Sequence, residues 1–518
     1  MIVLINPPGF KSLTGLQTHE PNPPLGLAYI AGALKAAGLA SVVIDAAGEA
    51  LGTVRPYALR PDFLVQGHLP EEVVQRVPAD ARIIGLTCLF SSLWPLTRDI
   101  AGQLRRRFPN ALLVLGGEHG TAVPEHVLKT SDFDVIVLGE GEETAVSLFS
   151  AALAGKPYSN LPGIAYRSAA GIRSNGLAPR TKEVDDIPLP DWDSFPIRAY
   201  IDSGQMNGLN MGRSMPILST RGCPYDCTFC SNPNMWTRRY ITRTPARVVD
   251  EIESYVKRYG ITNVDFQDLT AIVKRNWAIE FSRALIERGL NITWQMPSGT
   301  RSEVFDAEVA DWLFRSGCRA LSFAPETGSP AMLAAIKKQV NLGHMLAGMG
   351  AAVRRGFSLS CFIVIGFPNE TRPTLRETMR LIRRMAVLGV DEIAIGKFVP
   401  YPGSELFRQL LAEGKVSLTD EFFISPMDMF SSRAPNFARA MSARRLYWTM
   451  VWMYVTFYAI SFLTRPLRPL RIIAKAMFRG EEDSRYAKWI VDRLYRRRQW
   501  RKLASQTRDA LPRLTAPS

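Results

Sequence analysis

The stretch STRGCPYDCTFCSNPNMW, Ser219 to Trp236, gathers three of the chain's six cysteines, Cys223, Cys227 and Cys230, into eight residues. A Cys-x3-Cys-x2-Cys spacing within a loop lets three thiolates converge on one centre. Structural zinc takes four protein ligands, and a catalytic zinc with three usually includes histidine. No histidine lies between His126 and His344, so a local fourth ligand is missing. A [4Fe–4S] cluster is commonly held by four thiolates. Three would leave one iron open to chelate a substrate or cofactor. Buried cysteines without a metal would need no such clustering.

Around this loop, strand-like runs alternate with helical stretches at a regular beat. "MPILST" precedes it. "PARVVDEIESYVKRYG" follows as an amphipathic helix ending at Gly260, then the strand "NVDFQD", the helix "NWAIEFSRALIERG", the strand "ITWQMPSG" and the helix "DAEVADWLFRSG". "ALSFAP", "SLSCFIVIG" and "EIAIGKFVP" supply three more strands. Six βα units between about Met215 and Leu411 predict a partial (βα)6 TIM-type barrel, whose functional groups stand at the carboxyl ends of its strands.

"RGCPYDCTFC", with Phe229 just before the last cysteine, resembles the cluster loop of the radical S-adenosylmethionine enzymes. The resemblance implies that the open iron binds the amino and carboxylate groups of S-adenosylmethionine and that reductive cleavage releases a deoxyadenosyl radical. It further implies that Asp268 contacts the amino group, that Ser298 and Arg301 hold the carboxylate, and that Glu326 takes the ribose hydroxyls. At Gly366 the backbone is expected to approach the adenine. A guanidinium offers a carboxylate a two-toothed fork. Each of these residues also has a structural reading as turn residue, salt-bridge partner or cap. Cys88, Cys318 and Cys361 lie in apolar surroundings and read as small core residues.

The first 150 residues read as a separate doubly wound α/β domain. "MIVLINPP", "ASVVIDAA", "ARIIGLTCLF", "ALLVLGGEHG" and "DVIVLGEGE" are near-continuous apolar runs, as a parallel sheet buried on both faces requires. Helices such as "PPLGLAYIAGALKAAG", "LTRDIAGQLRRRF" and "PEHVLKT" alternate with them. Ligands of such sheets bind past the strand ends, where Gly116-Gly117 and Gly139-x-Gly141 sit. Alone, these glycines fit a dinucleotide, a flavin or no ligand.

A flavodoxin-like domain directly ahead of a radical barrel resembles the cobalamin-binding branch of that family, over roughly residues 1–410. The resemblance implies cobalamin as a third cofactor, held by Pro8, Asp45, Thr87, Gly116, Gly117, His119, Gly139 and Gly141. The Asp-x-His-x-x-Gly signature of other cobalamin proteins is absent, since Ala46 and Ala47 follow Asp45. The axial cobalt ligand is therefore left open; His119 is the nearest histidine, with a hydrogen-bonding or structural role as its other reading. Residues 151–212, including "LAPRTKEVDDIPLPDWDSFP", read as a linker, 213–411 as the barrel, and 412–518 as a basic, aromatic-rich, mainly helical region.

A hydrophobic share of 47% and a charged share of 21% describe a globular chain. Its 518 residues imply more than one domain. The six cysteines make no disulfide scaffold, and "MIVLINPPGF" reads as a strand with no secretory pattern, so a reducing cytoplasm is expected. The net charge of +15 is almost all in the tail: from Ser431 onward there are 19 Lys/Arg against 5 Asp/Glu. "LYWTMVWMYVTFYAISFL", Leu446 to Leu463, carries no charge and has seven aromatics. "RPLRPLRIIAKAMFRG" and "WIVDRLYRRRQWRKL" then mix basic and apolar residues as interfacial helices do. Three readings follow: a helical cap on the barrel, association with the inner face of a membrane, or a span. Nucleic acid is disfavoured because the aromatics form one block apart from the charges.

Taken together, the resemblance implies an enzyme that transfers a methyl group to an unactivated carbon of a hydrophobic or natural-product small molecule, using electrons from a reductant such as flavodoxin or ferredoxin. The alternatives are a non-methylating cyclase or rearrangement enzyme acting on a porphyrin-like ring, and a non-catalytic cobalamin sensor, which the cysteine triad argues against.

Overall fold

The computed structural model describes residues 1–12, 21–57, 60–181, 183–204, 206–270, 272–300 and 304–467. The amino-terminal sheet has seven strands: β1 (Ile2–Asn6), β2 (Ser41–Asp45), β3 (Ile83–Thr87), β4 (Leu112–Gly116), β5 (Val135–Val137), β6 (Ile164–Ser168) and β7 (Gly171–Ser174), in the order 7-6-5-4-3-1-2. β1 to β5 are mutually parallel in the order 2-1-3-4-5, the flavodoxin-like winding expected of five apolar runs. The β6–β7 hairpin lies within the stretch read as linker, yet it joins β5 antiparallel and closes that edge. Its alternation is too short and too polar to stand out in sequence. A small antiparallel sheet, Gly9–Ser12, Arg60–Gln66 and Val54–Tyr57, is likewise visible only in the fold.

The second sheet is β8 (Ser214–Ile217), β9 (Asn263–Phe266), β10 (Thr293–Thr300), β11 (Cys318–Glu326), β12 (Ser358–Ile365) and β13 (Glu392–Lys397), all parallel and in sequential order. This is the open six-stranded barrel. Its helices obey simple local rules. Pro245–Tyr259 starts at a proline whose missing N–H costs nothing there, buries Val248, Val249, Ile252, Tyr255 and Tyr259 at helical spacing, and stops at Gly260 in the left-handed conformation.

The two sheets share continuous apolar cores. One core joins Ile2, Leu4 and Val114 of the first sheet to Met215, Val264 and Leu321 of the barrel. The other unites Trp94, Leu96 and Phe133 with Phe398, Phe407 and Phe423, so residues beyond the last barrel strand pack back onto the first domain. The final described helix, Ala443–Thr464, packs along Arg372–Leu388 and β13. Of the two basic segments expected to form interfacial helices, all but Arg465, Pro466 and Leu467 lies outside the described residues.

Candidate functional site

The cluster loop leaves β8 through a turn that Asp268 holds. This carboxylate, buried at the end of β9, accepts from Ser219 N at 3.1 and 3.2 Å, from Ser219 Oγ at 2.9 Å, and from Thr220 Oγ1. Burial pushes its pKa up, and these bonds counter that. Expected to meet an amino group, Asp268 is instead turned to its own chain, where it fixes the entry to the loop. A carboxylate already accepting from three donors of its own chain has less capacity left for a ligand.

Cys223, Cys227 and Cys230 are partly exposed on this loop and are not joined in a disulfide. Burial pushes the Cys230 thiol up to about 12; Asn232 N, 3.5 Å from its sulfur, works against that, and the charges of Cys227 and Cys223 add to it. The three sulfurs are thus electrostatic neighbours. Among the described residues, however, no three His, Cys, Asp or Glu side chains already converge as a ligand set, so a cluster has to draw the thiols inward. The surroundings suit a bound group. Thr228 Oγ1, both side-chain polar atoms of Asn232 and Asn234 Nδ2 are buried without hydrogen-bond partners, and a buried orphan polar atom calls for an explanation such as a bound group. Three thiolates with unsatisfied polar neighbours are the donor set a [4Fe–4S] cluster and its chelated ligand would use.

Phe229 packs on Phe367, ring centroids 5.6 Å apart. Glu326 ends β11 with φ +62, a conformation uncommon for a residue with a side chain, and its Oε1 accepts from Lys338 Nζ at 2.9 Å. The sequence offered no sign of that buried partner. Ser298 is partly exposed beside the bulge that interrupts the β10–β11 register between Met296 and Gly299, leaving its hydroxyl at the barrel mouth. Arg301 lies outside the described residues. Gly366 has φ +89, and the close approach there is Leu446 of the last helix, 2.5 Å from where a Cβ would stand. The glycine that was expected to make room for adenine makes room for a side chain of the protein.

The first sheet presents its strand ends to the same region. Pro8 is buried after β1. Asp45, at the end of β2, accepts from Asn6 Nδ2 at 2.7 Å, Gly48 N at 3.0 Å and Tyr200 Oη at 3.2 Å. Its other oxygen is buried and unpartnered, and burial raises its pKa to about 6. Thr87 and Gly116 end β3 and β4. Gly117 has φ +103, and a Cβ there would lie 2.6 Å from Cys88 O, so only glycine fits. Gly139 (φ +71) approaches Met235 O of the cluster loop's short helix; Gly141 faces Ile30. Beyond β3, Leu89 and Phe90 are 54% and 60% exposed, an apolar ledge at the mouth that the sequence reading missed. A corrin presents a broad, largely apolar face, and these glycine-lined loops with their ledge fit one.

His119 does not serve this mouth. It is fully buried, stacked on Trp94 at 4.8 Å and edge-on to Phe423 at 4.9 Å, with Nδ1 3.0 Å from Ser91 Oγ. Burial lowers its pKa to about 3. Its Nε2 is buried without a hydrogen-bond partner among the described residues, and the aromatic packing around the ring favours the structural reading over that of axial ligand.

Five further residues, whose roles were missed in the sequence, tie the two mouths together. Arg221, next to the first cluster cysteine, donates to Glu142 Oε1 at 2.6 Å and Glu140 Oε1 at 3.4 Å, while Arg180 donates to Glu140 at 3.0 and 3.2 Å. Arg221 also covers Tyr29, 4.9 Å from its ring centroid. The acids of "LGEGEET" therefore grip the cluster loop. Glu118, beside Gly117, hydrogen-bonds Ser231 just after Cys230, and burial raises its carboxyl to about 7.

Known proteins match this arrangement. Residues 14–149 match the B12 binding domain and residues 217–382 the radical SAM superfamily. An uncharacterized methyltransferase of Pyrococcus horikoshii is 28% identical over 412 residues, 79% of this chain and 83% of that one. The anaerobic magnesium-protoporphyrin IX monomethyl ester cyclase of Rubrivivax gelatinosus is 28% identical over 78% of this chain and 69% of its own. The fold is shared with the radical S-adenosylmethionine methyltransferase TsrM of Kitasatospora setae, solved with cobalamin and a [4Fe–4S] cluster bound: TM-score 0.61, 17% identity, 89% of this chain and 88% of that one. Both domain families are matched where the two sheets stand, and in that order, so the chain belongs to the cobalamin-binding radical S-adenosylmethionine enzymes.

Proposed function

We propose that this enzyme transfers a methyl group to an unactivated carbon of a hydrophobic or natural-product substrate. The supporting observation is the meeting of the two strand-end mouths across one loop, through Arg221 with Glu140 and Glu142, Gly139 with Met235 O, and Glu118 with Ser231. Residues of the first sheet's mouth and of the cluster loop would then hold a methyl donor and a radical source against one substrate. The bound groups supply the chemistry: the cluster the electron that cleaves S-adenosylmethionine, and cobalamin the methyl group.

The chain's own residues hold these groups and keep order around them. Cys223, Cys227 and Cys230 provide thiolates for the cluster, each giving up a proton as it binds. Ser298 and Glu326 stand on the S-adenosylmethionine side, with Lys338 steadying Glu326. Glu118, its carboxyl raised by burial to about 7, stands between the two mouths where it can take up or release a proton. Leu89 and Phe90 turn water away from the corrin side. The enzyme works in a reducing cytoplasm with flavodoxin or ferredoxin as its electron donor.

The relation to the cyclase supports a second reading, oxidative ring closure. Anaerobically reconstituted enzyme, given reductant, labelled S-adenosylmethionine and small-molecule extracts of its host, separates the two. Methylation yields S-adenosylhomocysteine beside deoxyadenosine and places label in product. Ring closure yields deoxyadenosine alone. Cys227→Ala should abolish deoxyadenosine and bring iron content to background; a variant with normal turnover would refute the cluster assignment.

A further inference from the structure

The Ala443–Thr464 helix has two apolar faces. Leu446, Met450, Met453, Phe457 and Ser461, three or four residues apart, turn inward and pack on Arg372–Leu388 and β13. Trp448, Trp452, Val455 and Leu463 repeat the spacing on the opposite side, 58%, 59%, 50% and 83% exposed, with Ala459 exposed between them. A helix lying on a soluble core normally turns polar and charged residues outward. Here no Asp, Glu, Lys, Arg or His occurs from Leu446 to Thr464. With 22 residues the helix runs about 33 Å, from Leu446 against Gly366 at the barrel mouth to Arg465, which donates to Gly389 O at 2.8 Å at the far end.

The rim of this apolar stripe is cationic. Arg444 and Arg445 begin the helix and Arg465 follows it. The adjoining Arg372–Leu388 helix exposes five arginines and contains one glutamate. The 51 residues after Leu467 carry 14 Lys/Arg and 5 Asp/Glu. Tryptophan prefers the water–bilayer boundary, and basic residues near an anionic leaflet are held by it. A second copy of the chain on this face would bring two arginine collars together, which argues against self-association. A span would require pulling the inward face off the barrel.

We propose that this outer face docks the enzyme peripherally on an anionic lipid surface, with Trp448 and Trp452 at headgroup depth and the exposed Arg444 and Arg445 on lipid phosphates. The test is flotation of the full-length, cluster-reconstituted protein with phosphatidylcholine vesicles, with and without phosphatidylglycerol. The wild type is expected to float with the anionic vesicles and to be released by salt. Trp448→Ser/Trp452→Ser, with circular dichroism and cluster absorbance retained, should partition about tenfold less or weaker still, because two large apolar side chains no longer leave water. The proposal is overturned if the wild type ignores anionic vesicles, or if the double variant floats equally well. It is equally overturned if light scattering shows a wild-type dimer that the double variant turns into monomer.

Discussion

Replacing Arg221 by methionine tests the clamp between the two domains. The guanidinium side chain is 4% exposed, and its partners Glu140 and Glu142 are 11% and 12% exposed. Two unit charges 2.6 Å apart attract by roughly 6 kcal/mol at an effective dielectric of about 20. Part of that is cancelled by the water both groups gave up, and losing one partner of a buried pair costs about 3–5 kcal/mol. Glu140 keeps Arg180; Glu142 keeps no other ion-pair partner among the described residues. A unit of 150–250 residues loses roughly 2–4 °C of Tm per kcal/mol, so a loss of about 3–5 kcal/mol should lower the first thermal transition by about 6–20 °C.

The loss should also depend on pH. In the wild type burial acts to raise the Glu142 pKa, but the charge and hydrogen bond of Arg221 outweigh it and hold the carboxyl below its usual value. A depressed carboxyl stabilises the fold above its unfolded pKa and ceases to do so as pH falls through the folded one. Without Arg221, burial is opposed only by the backbone N–H groups of Gly141 and Glu142, the folded pKa rises, and protonation relieves the variant as pH falls. The deficit should therefore be large at pH 7.5 and smaller at pH 5. Differential scanning fluorimetry at fixed scan rate reads both values. A variant within about 1 °C of wild type, or a deficit that grows toward pH 5, refutes the clamp; the first value lies far below the magnitude expected for a buried pair.

Gly117→Ala puts a Cβ 2.6 Å from Cys88 O at φ +103; we expect a destabilised first domain and cobalamin content, read by absorbance, near background. His119→Phe removes the Ser91 bond, worth about 1 kcal/mol, but should leave the spectrum of bound cobalamin unchanged; a shifted spectrum would contradict its structural role. The same variant should lose less stability on acidification. The His119 pKa lies near 3 in the fold because of burial, below the unfolded value, so protonation of the unfolded chain draws the wild type apart as pH falls below about 6.5.

The elements legible in the sequence were those written in contiguous patterns. Near-continuous apolar runs gave the parallel strands, Gly38 and Gly260 closed their helices in left-handed turns, and the cysteine spacing marked the loop between β8 and the first barrel helix. The β6–β7 hairpin escaped because a four-residue polar strand such as Gly171–Ser174 carries no periodicity of its own; it is a strand because β6 lies beside it. The acids after β5 resembled a binding motif, and nothing local indicated that their partner was Arg221, about 80 residues away.

The sequence by itself thus determined the chemistry the loop can support and the order of its βα units, since ligand spacing and side-chain periodicity are properties of neighbouring residues. Tertiary structure decided what each polar group faces. It turned Asp268 onto Ser219 and Thr220, placed Leu446 at Gly366, sank His119 between Trp94 and Phe423, and left Trp448 and Trp452 exposed on a helix whose other side is core. Those outcomes depend on which surfaces meet across long stretches of chain, and the physical reason is that burial, which sets both hydrogen-bond partners and protonation, is a property of the packed whole.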